Sequence, residues 1–138
     1  MTNMSEDGFS IVELLITLII IGVAFGAFVT TFTTIQNINK KAIDINVANG
    51  AAFSKMQEYE NKNFTNLPTT SPTGTLVQVE DFSTSLPTTL QGTRSGIVYI
   101  NTVSPTLRQV VVNITFGSGA SQRQIEYANF IQKNGLGR

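Results

Sequence analysis

The sequence predicts an α+β protein: a long N-terminal helix, first a transmembrane span and then a stalk, packed on a small antiparallel β-sheet. Three observations carry this. From Phe9 to Phe32 there are 24 residues with one charge, Glu13. Beyond it, Ile35, Ile38, Ala42, Ile45, Asn49, Ala52, Met56 and Tyr59 keep a 3-4 spacing, the stripe of an amphipathic helix. From residue 64 onward, loops rich in Pro, Gly and Thr separate short Val- and Ile-rich runs, the pattern of strands.

The apolar run covers about 36 Å at ~1.5 Å per residue, sufficient for a bilayer core of ~30 Å. A buried core helix would need more protein around it than the remaining chain supplies. A secretory signal peptide has a shorter apolar region of about 7–15 residues and a basic leader, whereas Met1–Gly8 holds no Lys or Arg. Glu13 is the exception in the run. An ionisable group near a bilayer centre costs about 2.5–3.5 kcal/mol on insertion scales. It must therefore either find a partner or lie near the helix end and snorkel to the headgroups. No Pro interrupts the chain from Phe9 to Asn63, so one helix of roughly 80 Å is expected. The alternative is a separate soluble helix joined by a Thr-rich hinge at Thr30–Thr34. Either way the stripe from Ile35 to Tyr59 needs a cover, which the C-terminal residues must supply.

The later strands are expected at Thr75–Asp81, Gly96–Asn101, Leu107–Phe116 and Gln122–Gln132, with loops at 66–74 and Ser83–Ser95. In Arg108–Phe116 the residues Val110, Val112, Ile114 and Phe116 share one face, while Val111 leaves the other face only partly polar. Gly117-Ser118-Gly119 is a turn signal, because Gly supplies the positive φ that tight hairpins require. A sheet of three to five strands results, its apolar face laid on Ile38–Tyr59.

Composition limits the chemistry. The chain has 138 residues, 41% hydrophobic and only 13% charged, with zero formal net charge. That balance gives no basic footprint of the kind nucleic-acid binding leaves. The absence of Cys excludes disulfides and thiolate chemistry. The absence of His removes the commonest general base and metal ligand. Glu58 and Glu60 stand two apart on a helix and face different directions. Glu80 and Asp81 are neighbours at a strand end. Neither pair suits acid/base catalysis, and no cofactor, metal site or enzymatic activity is expected. Two Leu-Pro-Thr-Thr strings, at Leu67–Thr70 and Leu86–Thr89, and two glycosylation-type triplets at Asn63 and Asn113 are chance matches within Thr-rich segments.

Gly8-Phe9-Ser10-Ile11-Val12-Glu13-Leu14-Leu15-Ile16 resembles the cleavage and methylation signal of type IV pilins and type II secretion pseudopilins. The family pattern is Gly, usually Phe, then Ser or Thr, two variable residues, Glu and an apolar run. The resemblance covers about nine residues, in the required context of a short polar leader and a following span. It implies that a prepilin peptidase cuts between Gly8 and Phe9 and methylates the new Phe9 amine. It also implies that Glu13 pairs with the Phe9 amine of a neighbouring subunit during assembly. The divisions are then a leader at 1–8, a helix at 9–63 (span 9–32, stalk 33–63) and an extracytoplasmic β domain at 64–138. The expected partners are other pilin subunits, the peptidase, the assembly platform and, before assembly, membrane lipid. The expected locations are the cytoplasmic membrane as a single-pass precursor and then an extracellular pilus. The alternatives are a pseudopilin of a secretion or DNA-uptake system, for which a nucleic-acid partner is left open, and a plain membrane-anchored binding module.

Two departures stand out. The leader carries Glu6 and Asp7 where family leaders are usually basic, and the first basic residues are Lys40 and Lys41 beyond the span, so the positive-inside rule does not support an N-in topology. Where many pilins place a Pro, this chain has Thr30. Gly22 and Gly26 are expected to loosen the helix instead, Gly costing about 1 kcal/mol against Ala. They also present small-xxx-small spacing for helix approach. The closing hairpin is similar to that of minor pilins and minor pseudopilins.

Overall fold

The structure is a computed structural model describing residues 10–71 and 74–135. Helix α1 runs from Ile11 to Glu60 without interruption, 50 residues in all. It passes through Gly22, Gly26 and Gly50 as regular helix. Two compact units make up the chain, Met1–Lys41 and Ala42–Arg138.

In the second unit, four strands follow the helix: β1 (Val77–Asp81), β2 (Thr93–Ser104), β3 (Leu107–Gly117) and β4 (Arg123–Gln132). They form one antiparallel meander in chain order. Short 3-10 turns lie at Phe64–Asn66, Ser83–Ser85 and Gly119–Ser121. The expected fold class holds, and each expected strand is present with shifted ends. β2 is the main difference: it runs on to Ser104 because Thr102 and Ser104 continue the ladder with Arg108 and Leu107. Pro105 then falls in the two-residue turn, where its fixed φ is an advantage and its missing N–H costs nothing. Between β3 and β4, Gly117 adopts φ +98° and Gly119 φ +53°, as the turn signal requires.

The core lies between the helix end and one face of the sheet. Ala48, Ala52, Met56 and Tyr59 meet Val98, Ile100, Val110, Val112, Ile114 and Phe116. The two Ala residues have no solvent exposure, and their small side chains let the helix backbone approach the sheet closely. The covered stripe is shorter than expected. Ile35 and Ile38 remain 50% and 59% exposed, because a sheet this small spans only about the last four turns of the helix. Ala48, not Asn49, takes the innermost place. On the opposite face Val111 is also buried, opposite Tyr99 and Ala128 in the ladder.

The loop expected at Ser83–Ser95 ends earlier, because Thr93–Ser95 begin β2, and the stretch around it contributes to the core. Phe82, Leu86 and Leu90 are all buried, and Gly96 lies against the Phe82 ring so closely that a Cβ there would sit 2.8–3.0 Å from three ring carbons. The segment after the helix is fixed by polar contacts. Thr70 and Thr102 bond through their hydroxyls, and each hydroxyl also accepts the other residue's backbone N–H. Arg108, 8% exposed, donates to the carbonyls of Phe64 and Leu67 and to the Thr69 hydroxyl.

Candidate processing and assembly site

The sequence places the processing site at Gly8 and Phe9, which lie outside the described residues, as does the rest of the leader. Ser10 and Glu13 are described, and their geometry explains where the helix begins. The carbonyl of Ser10 accepts the first intrahelical bond, from the N–H of Leu14 at 3.1 Å. The Ser10 Oγ accepts from the backbone N–H of Val12 at 3.3 Å. In return Glu13 Oε2 accepts from the backbone N–H of Ser10 at 3.3 Å. This reciprocal pair is a variant of the capping box: Ser10 at the N-cap accepts from the second helical residue rather than the third, and Glu13 bonds back to it, so two N–H groups that the helix leaves unpaired are satisfied. The negative charge of Glu13 in the first turn also complements the positive end of the helix dipole. Sequence reasoning assigned Glu13 to assembly and gave Ser10 no role. The signal was available in the Ser-x-x-Glu spacing ahead of an apolar run, but the longer motif absorbed it.

From Ile11 to Phe32 the helix surface is apolar and open. The most hydrophobic window of the helix has a mean hydropathy of 2.6 and none of it is buried. Leu14, Leu18, Ile21, Phe25 and Phe28 are among the exposed large side chains. Full burial of each such residue releases about 1.5–3 kcal/mol, so this surface needs lipid or protein around it. The length and composition suffice to cross a membrane. A Cβ built on Gly22 or Gly26 would meet nothing within 4 Å among the described residues. The hydroxyls of Thr30, Thr31, Thr33 and Thr34 all donate to carbonyls one turn back, those of Ala27 and Thr30. These four polar groups are thereby satisfied within the helix, so the Thr-rich segment tolerates an apolar surrounding and the helix continues through it. Neither a Pro kink nor a break appears at Thr30.

A second polar cluster joins the helix to β1. Lys55 lies off the apolar stripe of the helix, yet its side chain is only 14% exposed and pairs with Glu80 and Glu58. The Tyr59 hydroxyl donates to Glu80 at 2.6 Å. Lys62 pairs with Glu58 at 3.0 Å and lies 3.9 Å from the Tyr59 ring centre. Burial draws the Lys55 ammonium down, but its bonds to Glu58 and Glu80 outweigh this and leave it raised. Burial likewise pushes the Glu80 carboxyl up, and the bonds from Lys55 and Tyr59 bring it below the usual range. Burial and the bond to Glu80 raise the Tyr59 phenol well above its ordinary value. The Lys55 and Glu80 shifts favour the paired charges and the Tyr59 shift keeps the phenol neutral as a donor to Glu80, so the cluster acts as a fastener between helix and strand. Glu58 and Glu60 take different partners: Glu58 pairs with Lys55 and Lys62, and Glu60 accepts from the Asn129 amide on β4. Among the described residues no three acidic side chains gather as a metal site would require.

The family profile described as the prokaryotic N-terminal methylation motif matches residues 3–29. No curated protein and no solved structure matches the chain. The matched segment contains the capping box and most of the exposed apolar run, and the helix then packs on an antiparallel sheet. The chain therefore carries the N-terminal methylation signature of type IV pilins and pseudopilins.

Proposed function

We propose that the chain is a structural subunit of a type IV pilus, made as a membrane-inserted precursor and assembled through its N-terminal helix. Leader 1–8 is removed by a prepilin peptidase, the Phe9 amine is methylated, and Glu13 pairs with the Phe9 amine of a neighbouring subunit. Residues 9–32 hold the subunit in the membrane and then in the filament core. Residues 33–63 form the stalk, and 64–138 form the extracytoplasmic β domain.

The observation that carries this reading is an acidic residue at the head of a fully exposed apolar helix, inside the methylation motif. A carboxylate in an apolar bundle demands a cation, and cleavage next to Phe9 generates one. Gly22 and Gly26 let such helices come close.

Glu13→Gln keeps the shape and an acceptor oxygen but removes the charge. The variant is expected to insert in the membrane at the wild-type level and to enter filaments poorly. Filaments that incorporate it as well as the wild-type subunit would refute the assigned role. A pseudopilin would use the same chemistry without projecting from the cell, so labelled subunits in surface filaments distinguish a pilus.

A further inference from the structure

We propose that Asn63 is an attachment site for an N-linked glycan, and that the second triplet of the same type, at Asn113, is not. The inference goes beyond the proposed assembly role and does not depend on leader removal.

Asn63-Phe64-Thr65 and Asn113-Ile114-Thr115 both fit the Asn-x-Ser/Thr acceptor pattern. By sequence both read as chance matches, but the fold separates them. Asn113 lies within β3, between Ile97 of β2 and Glu126 of β4. Its Oδ1 accepts from the Thr115 hydroxyl at 3.4 Å, and Ile114 between them has no solvent exposure. A transferase could seat this triplet only by opening the sheet. Asn63 stands beyond the end of α1, directly before the 3-10 turn Phe64–Asn66. Its backbone angles, φ −55° and ψ 138°, keep it out of the helix. Its side chain makes no capping bond to the turn, and Asn63 and Thr65 are both exposed. Phe64 is the anchored member of the triplet. Its ring lies 4.4 Å from the Arg108 guanidinium and its carbonyl accepts from that group. The hold is on the middle residue, so the amide and the hydroxyl on either side stay in solvent. Among the described residues an open cleft borders Asn63, lined also by Asn61, Phe64, Phe130 and Gln132. A sugar therefore has room beside the amide. Surface loops are the segments that carry N-glycans in exported proteins.

The transfer forms a bond from Asn63 Nδ2 to the anomeric carbon of a sugar. The bond from that carbon to the donor's phosphate oxygen breaks, and the diphosphate leaves with the electron pair. One Nδ2 proton passes to a base of the transferase. The donor class is a glycosyl diphosphate, carried by a polyprenyl lipid or by a nucleoside.

The test uses the full chain recovered from the cells that make it, with Asn63→Gln, Thr65→Ala and Thr65→Ser produced in the same cells. Trypsin cuts after Lys62, Arg94, Arg108 and Arg123, so the triplets fall in separate peptides, 63–94 and 109–123. Mass spectrometry with fragmentation that keeps the sugar attached locates it. Peptide 63–94 should carry a sugar on Asn63 and peptide 109–123 none. The sugar should be lost in Asn63→Gln and Thr65→Ala and kept in Thr65→Ser. A wild-type peptide 63–94 without sugar overturns the inference, as does a sugar on Thr65 or one that survives Asn63→Gln. Equal occupancy at Asn113 overturns the exclusion by the sheet. The purified chain is also incubated with washed membranes, or with soluble extract and a nucleoside diphosphate sugar. Transfer to Asn63 in the first assigns a lipid carrier and in the second a nucleotide; transfer in neither overturns the donor class.

Discussion

Replacing Arg108 by Met removes a buried cation while keeping most of its aliphatic bulk. The guanidinium donates to the Phe64 carbonyl at 2.8 Å, to the Leu67 carbonyl and to Thr69 Oγ1 at 3.1 Å, and lies 4.4 Å from the Phe64 ring centre. Three bonds from one charged group are worth about 1.5–3 kcal/mol each before costs. Against this stand the desolvation of a charge with no carboxylate partner among the described residues and an Nε–H that is buried without an acceptor. The net loss on substitution is therefore expected to be about 2–4 kcal/mol. Urea unfolding of the full chain in mild detergent measures it. Tyr59, Tyr99 and Tyr127 all report on the second unit, and the chain has no Trp. With a slope of about 1–2 kcal/mol per M, the midpoint should fall by about 1–4 M. Arg108→Lys should recover less than half, because an ammonium lacks the planar fork that reaches three acceptors. Amide exchange should quicken at Leu67 and Thr70. A Met variant within about 0.5 kcal/mol of wild type, the usual scale of a neutral surface change, would refute the view that Arg108 holds the segment after the helix.

Glu80→Gln weakens the fastener between helix and β1 and leaves Lys55 and the Tyr59 hydroxyl poorly matched; a loss of about 1–3 kcal/mol is expected by the same urea assay. The pH profile follows from the directions of the shifts. Glu80 is held below its unfolded value, so its stabilisation is full above about pH 4.3 and is lost as pH falls through the folded value. Lys55 is raised, so its contribution is full below about pH 10.4 and is lost as pH rises through the folded value. Stability from this cluster should be flat between these limits, and Glu80→Gln should shrink the acid-side fall without abolishing it, since Glu58 is also lowered by Lys55 and Lys62. Gly96→Ala drives a methyl into the buried Phe82 ring and should cost about 1–3 kcal/mol. Combining it with Phe82→Leu should restore part of the loss in a double-mutant cycle.

Much of the fold was legible because its signals are periodic. The Phe9–Phe32 run, the Ala52–Met56–Tyr59 spacing and the Val110–Phe116 alternation each need only local pattern. The extent of helix coverage was not legible. Whether Ile35 and Ile38 are buried depends on how far a four-stranded sheet reaches, which is a tertiary quantity. Lys55 lies off the apolar stripe on the helical wheel, and only its distant partner Glu80 makes it an interior one. Phe82, Leu86 and Leu90 sit among Ser, Thr and Pro and read as loop, yet their side chains complete the core. For the site the position is different. Gly8, Phe9 and Glu13 were named from the motif, and the family profile over residues 3–29 agrees with that motif. Ser10 is not legible from the motif, because its part lies in the backbone bonds of a helix end.

Mass spectrometry of the subunit recovered from cells reads its processed terminus. The expected chain begins at Phe9 and carries one methyl group on its N-terminal amine. A chain that still begins at Met1, or one that begins beyond the apolar run, would contradict this processing.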